Sequence, residues 1–200
     1  MMLQVTRKCY RVVPAGVLLG ILWAGFGMGA QIEGITVTHR DDGFKIALDA
    51  VVDAPAQQVY EVLADYASLG KLNPAITAIS VEAAPTGRGK RVRSVIKTCV
   101  WFFCTQIVQV EDVMESEPNT ISARIVPGAG DFESGSFLWR MTDEGPRTRL
   151  HYEATRVAAF WIPPLIGPWA IKRTLREQFE SSIVALERVA NQNKPQGTDH

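Results

Sequence analysis

The run from Phe44 to Ile76 constrains the fold more than any other part of the chain, because it joins a strand to a short helix and then closes that helix early. Phe44, Ile46, Leu48, Ala50 and Val52 alternate with Lys45, Ala47, Asp49 and Val51, the period of a strand with one buried face. The strand ends near Val52, and Val52-Asp53-Ala54-Pro55 turns the chain into a helix. Asp53 or Ala54 is placed to cap it, and Pro55 suits its first turn, where N–H groups are spare. Val59, Val62, Leu63 and Tyr66 form one apolar stripe, so the helix lies on an apolar surface. Gly70 and the Asn73-Pro74 pair stop its continuation, since proline disfavours helical geometry in the residue before it.

The chain has 200 residues with 46% hydrophobic content, enough for one domain with a sizeable core and too few for two ordinary ones. Its N-terminus is set apart. Arg7, Lys8 and Arg11 precede an apolar run from Val12 to Gly29, closed by Gly25, Gly27, Gly29 and Ala30, the layout of a secretory signal peptide over residues 1–30. Cutting after Gly29 leaves Gly27 and Gly29 at the small-residue positions, whereas cutting after Ala30 puts Met28 in the inner one. A retained membrane anchor is the competing reading, because the run approaches the ~18 residues at which a spanning helix becomes credible. Removal of residues 1–30 takes three basic and no acidic residues, which leaves 18 basic against 21 acidic and a net charge of −3. Nothing in that balance favours nucleic acid. Residues 191–200 are polar, with Pro195 and Gly197, and are expected to fray.

Residues 31–43 read as a strand and turn: Ile35 to Thr38 alternates and Asp41-Asp42-Gly43 is a turn signal, so a hairpin with the Phe44 strand is expected. After the helical segment, strands are expected over Thr77–Glu82, Lys90–Thr98, Thr105–Val113, Thr120–Val126, Phe132–Thr142 and Thr148–Val157. From Pro168 to Ala190, Ile171, Leu175, Phe179, Ile183, Leu186 and Ala190 recur at three- and four-residue steps, which predicts a long amphipathic helix. No βαβ unit repeats. The economical architecture is α+β, an antiparallel sheet folded around a C-terminal helix.

With Val52-Asp53-Ala54-Pro55, Val59-Tyr60, Leu63, Asp65-Tyr66, Asn73-Pro74 and the closing helix, the chain resembles the START, pathogenesis-related allergen and polyketide cyclase superfamily (SRPBCC), closest to its coenzyme Q-binding START-like branch. The resemblance covers about Phe44 to Val189 and places the START-like domain at residues 44–190. It implies a helix-grip fold with a hydrophobic cavity between the sheet and the long helix. Its motifs specify fold more than function, since this scaffold hosts both lipid carriers and cyclases.

If the strands alternate in direction, the loops Val100 to Phe103, Pro127 to Asp131 and Ala158 to Trp169 share one end of the molecule. Two of them are apolar, and the end gathers Trp101, Phe102, Phe103, Phe160, Trp161 and Trp169. Surface loops are normally polar, so such a cluster asks for a partner. One reading makes it the mouth of the cavity, docking transiently on a membrane where indole rings suit the interface. The other has Trp101 and Phe102 plugging the core. Cys99 and Cys104 flank this loop; across a four-residue hairpin loop they sit at bridging distance, and export to an oxidising compartment favours a disulfide over two buried thiols.

Along the last strand Thr148, Leu150, Tyr152, Ala154 and Arg156 share the inward face, with His151 turned to solvent. Arg156 either meets a ligand headgroup, carboxylate or quinone oxygen, or, as such residues more often do, turns to water or pairs with a protein acid. Phe137, Trp139 and Met141 share one face, as do Ile121, Ala123 and Ile125. The candidate ligand-binding set is therefore Ile125, Phe137, Trp139, Tyr152, Arg156 and Phe179. No catalytic constellation, metal-ligand spacing or cofactor motif stands out. The leading expectation is an exported, periplasmic, monomeric, non-enzymatic binder of a hydrophobic small molecule, lipid or isoprenoid quinone. The alternatives are a polyketide cyclase or aromatase-like enzyme and a protein-interaction module.

Overall fold

The computed structural model describes residues 29–40, 43–100, 103–160 and 167–193. The proposed signal segment, except its last two residues, and the end of the tail lie outside them. Eight strands form one open antiparallel sheet: β1 (Gln31–Arg40), β2 (Gly43–Val52), β3 (Ile76–Ala83), β4 (Lys90–Val100), β5 (Phe103–Ser116), β6 (Thr120–Ile125), β7 (Phe132–Asp143) and β8 (Thr148–Ala158). Their spatial order is β1-β2-β8-β7-β6-β5-β4-β3, so β1 and β3 are its edges. Helices α1 (Ala56–Ala64) and α2 (Gly167–Gln192) and a 3₁₀ helix at Tyr66–Lys71 complete the fold. The curved sheet and the C-terminal helix make the expected helix grip. Among the described residues no helix is long and apolar enough to cross a membrane.

The Phe44–Ile76 run folds as strand and helix, with two local corrections. Pro55 is the residue before α1, with extended backbone (φ −60°, ψ 146°) and a carbonyl that accepts the Val59 N–H at 3.1 Å. Neither Asp53 nor Ala54 caps the helix, because their backbones are engaged elsewhere. The Asp53 N–H donates to Glu187 Oε2 (2.7 Å), the Asp53 carbonyl accepts from Asn191 Nδ2 (2.9 Å), and the Ala54 carbonyl accepts from the buried Thr148 hydroxyl (2.6 Å). Gly70 sits inside the 3₁₀ helix rather than ending it. The stop belongs to Asn73, whose Oδ1 accepts the Ala75 N–H at 3.0 Å and whose carbonyl accepts the Ile76 N–H at 3.0 Å, where β3 begins.

The β4–β5 hairpin is tighter than a four-residue loop. Val100 pairs with Phe103 and Cys99 with Cys104, so only positions 101–102 connect the strands, and these lie outside the described residues. The two cysteines are bonded to each other, with their Cα atoms 4.0 Å apart.

The apolar stripe of α2 is unevenly buried along its length. Ile183, Leu186 and Ala190 are 1%, 1% and 0% exposed, in a core with Val59, Leu63, Leu48 and Leu150. Ile171, Leu175 and Phe179 are only partly buried, although the small Ala170 near the start is covered. The helix packs on α1, β1 and β2, and its side-chain bonds to Asp53 lie in its last turns. The grip is therefore tight at the C-terminal half of α2 and looser toward its start.

This gradient sets an expectation for unfolding in urea. Leu186→Ala should cost ~2–5 kcal/mol, the usual range for emptying a filled core site, and Leu175→Ala less than half as much. Equal losses would mean that α2 is packed uniformly.

Candidate functional site

The strand register assembles the site on the concave face. Trp139 on β7 lies opposite Tyr152 on β8, Phe137 opposite Ala154, and Gly135 opposite Arg156. Toward β5, Ala123 on β6 faces Phe137, and Ile125 faces Glu111. Tyr152 is the hub: its ring centroid lies 4.4 Å from Trp139, 5.1 Å from Phe179 on α2 and 6.1 Å from Phe137. Five of the six candidate ligand residues, Phe137, Trp139, Tyr152, Arg156 and Phe179, thus meet in one cluster, with Ile125 beside it. Phe137, Trp139 and Phe179 are only partly buried, so this aromatic wall keeps accessible surface where the helix grip loosens.

Arg156 pairs with a protein acid. Its Nη2 donates to Glu111 Oε1 at 2.6 Å, and Nη1 donates to the Ser136 and Thr155 carbonyls at 2.8 Å each. The two side chains are 11% and 8% exposed, and the guanidinium carbon lies 5.8 Å from the centroid of the Phe137 ring. Gln109 Nε2 donates to the other Glu111 oxygen at 2.8 Å, and buried Ser94 stands opposite Gln109 on β4. A polar band therefore crosses an otherwise apolar face.

Gly135 gives Arg156 its path. A Cβ there would stand 2.5 Å from the Thr155 carbonyl oxygen, 3.1 Å from Ile125 Cγ1 and 3.2 Å from Arg156 Cδ. Any larger residue would collide with the β8 backbone and crowd both Ile125 and the arginine stem.

Sequence reading missed Glu111, Gln109, Ser94 and Gly135. A signal for Glu111 existed: β5 carries the adjacent acids Glu111-Asp112, and two neighbours in a strand cannot face the same way. Ile107 and Val113 share the parity of Glu111, which directs it inward, while Asp112 pairs with Arg91 at 2.7 Å.

Burial pushes the Glu111 carboxyl above its ordinary range, and Arg156 and Gln109 pull it back. Both of its oxygens accept from N–H donors, the pattern of a carboxylate held by its partners. Burial likewise pushes the Tyr152 hydroxyl up to about 12, with Arg156 opposing and Glu111 adding.

The loops after β4, β6 and β8 share one end. Asp131 ties two of them down: its Oδ2 accepts the Val108 N–H at 2.7 Å, its N–H donates to the Val108 carbonyl at 2.8 Å, and its carbonyl accepts the Ala159 N–H at 2.9 Å. Phe160 and Trp169 at this end are 42% and 55% exposed, and Phe103 begins β5 there. Trp101, Phe102 and Trp161 lie outside the described residues. His151 is on the outer face, 2.7 Å from Asp49. Among the described residues no group of three or more His, Cys, Asp or Glu side chains is arranged to hold a metal ion.

Tyr60, Tyr66 and Tyr152 are the tyrosines beyond residue 30. All three are raised above the ordinary value, chiefly by burial, with Tyr66 also donating to Glu115 Oε1 at 2.8 Å. Unfolded tyrosine loses its proton near pH ~10 while the folded hydroxyls keep theirs, so the unfolded chain binds fewer protons and stability falls as pH rises above that point. A near-ultraviolet absorbance titration of the protein without residues 1–30, and so without Tyr10, should show no tyrosinate at that pH until the protein unfolds. A reversible native titration of even one tyrosine there would contradict the burial.

The fold is similar to that of an aromatase/cyclase, Zhui, from Streptomyces sp. R1128 (TM-score 0.60, 18% identity, covering 78% of this chain and 98% of that one). It is also similar to a START superfamily protein from Mycobacterium smegmatis (0.58, 20%, 74% and 97%) and to the protein TTHA0849 from Thermus thermophilus (0.59, 19%, 76% and 99%). At these identities the likeness is one of fold. None of the curated protein sequences matches the chain. The sequence itself matches a family over residues 43–191, from the start of β2 almost to the end of α2, and the chain belongs to that family, described as polyketide cyclase / dehydrase and lipid transport.

Proposed function

We propose that the protein is a non-enzymatic carrier or sensor of a hydrophobic small molecule such as a lipid or isoprenoid quinone, exported through residues 1–30 and acting in the periplasm of a Gram-negative bacterium. The observation that carries this reading is the aromatic wall of Phe137, Trp139 and Phe179, which stays partly exposed between sheet and helix although its neighbours are filled. Such a surface costs about 25 cal/mol for each Å² of apolar area left wet, and a bound apolar chain removes that cost. Transfer from a bilayer gains little hydrophobic energy, so uptake and release are reversible and selectivity rests on shape and a few polar groups. The family's inclusion of lipid transport supports the reading, as does the bonded Cys99–Cys104 pair, at home in an oxidising compartment.

The exposed Phe160 and Trp169 mark the mouth and a transient membrane contact, with Trp101, Phe102, Phe103 and Trp161 as further members. Cyclase or dehydrase chemistry is the second reading, favoured by a buried acid and a tyrosine hydroxyl on one apolar face and by the family's other members. The carrier reading takes precedence because Glu111 and Arg156 are committed to each other and to neighbouring groups, which leaves neither free as a general acid or base.

Native mass spectrometry of the protein purified from its own periplasm should find a monomer with one noncovalent apolar ligand. An empty protein that also fails to take up an apolar fluorescent probe would refute the carrier reading, and a cyclised product from a linear polyketone thioester would establish the second. In vesicle flotation, Phe160→Ser with Trp169→Ser should reduce retention several-fold relative to wild type, and unchanged retention would remove the membrane contact.

A further inference from the structure

We infer that the Glu111–Arg156 pair selects the charge of the ligand: the site along the aromatic wall takes an amphiphile whose polar end is uncharged, an alcohol or a ketone-like carbonyl, and refuses a carboxylate. The inference rests on the carrier reading and gives its ligand a chemical class.

An arginine on an apolar concave wall would by itself favour a fatty acid, because a guanidinium is permanently charged and binds carboxylates through two parallel hydrogen bonds. Here that role is filled from within. Glu111 holds Nη2 at 2.6 Å, while two backbone carbonyls, of Ser136 and Thr155, hold Nη1. Glu111 is fixed in turn from its far side by Gln109. Gly135 lets the arginine stem lie flat across β7 toward β5, so the guanidinium reaches Glu111 along the wall.

The consequence is electrostatic. A ligand carboxylate could reach Arg156 only by displacing Glu111, which would leave two anions sharing one cation in a poorly hydrated volume. An unpaired charge there is strongly unfavourable. An uncharged polar end does not face that choice, because it can accept or donate a hydrogen bond beside a pair whose charges already cancel. The Tyr152 hydroxyl, on the same face and neutral at physiological pH, suits such a group.

The test compares oleate with oleyl alcohol, probes that share one chain and differ at the polar end, each delivered from cyclodextrin to the protein lacking residues 1–30 at neutral pH. Wild type should bind the alcohol at least about tenfold more tightly than oleate. In Glu111→Gln the ratio of oleate to alcohol affinity should rise by at least about tenfold, because Arg156 is freed. In the double variant Glu111→Gln, Arg156→Gln the gain should vanish, which separates a charge effect from a general loosening. Wild type that prefers oleate or binds both equally overturns the charge filter and leaves the carrier intact. So does Glu111→Gln with an unchanged ratio. Failure of wild type to bind either probe or any other apolar chain overturns the carrier reading, and the filter with it. The wild-type comparison stands even where a variant does not fold.

Discussion

The backbone of Asp53 is held from both sides by one helix, and much of the architecture follows from that clamp. Its N–H is taken by Glu187 and its carbonyl by Asn191, residues one turn apart near the end of α2. Next to it the buried Thr148 hydroxyl bonds the Ala54 carbonyl and ties β8 to the same corner. Three separate parts of the chain, the β2–α1 junction, the first residue of β8 and the last turns of α2, are thereby pinned at one end of the sheet. Apolar packing of Ile183, Leu186 and Ala190 completes the corner. A long helix fixed at one end can stand away from the sheet at the other without loss of the fold.

The candidate site lies along the less deeply buried first half of α2, where Phe179 still meets Tyr152 and Arg176 bonds the Ile35 carbonyl. Tyr152 belongs to the core, yet its neighbours Phe137, Trp139 and Phe179 do not complete their burial. The same region carries the buried ion pair, held at both ends by Gln109 and by backbone carbonyls. A buried pair of this kind is weak support for stability, since the desolvation of two charges offsets their attraction. Its position beside a partly exposed aromatic wall is the ground on which ligand choice is proposed for it. Sheet curvature, helix anchoring and charge pairing thus act at one place for different physical reasons.

Much of the fold was legible because it rests on local periodicity. The alternation of Phe44 to Val52, the three- and four-residue spacing along α2 and the proline-led turn at Pro55 each predict an element, and strand parity places Arg156 and Tyr152 on one face. The errors lie where a backbone group has a distant partner. Asp53 looks like a cap in sequence, but its N–H and carbonyl are claimed by residues of α2 far along the chain. The β4–β5 loop looked longer because strand pairing extends through the cysteines to Val100 and Phe103. Glu111 was overlooked because its role exists only in the register that brings β5, β6, β7 and β8 side by side; no local pattern joins it to Arg156. Gly135 has meaning only through what lies beside it across the sheet, the Thr155 carbonyl, Ile125 and the arginine stem.

The central claim is that the space between the aromatic wall and the first half of α2 holds a ligand chain. Intermolecular nuclear Overhauser effects between a protonated long-chain alcohol and the isotope-labelled protein test it directly. Contacts are predicted to Ile125, Leu175 and the ring protons of Phe137, Trp139 and Phe179. Contacts confined to Val184, which points to solvent from the outer side of α2, or to the exposed Val81 and Met114, would contradict the account.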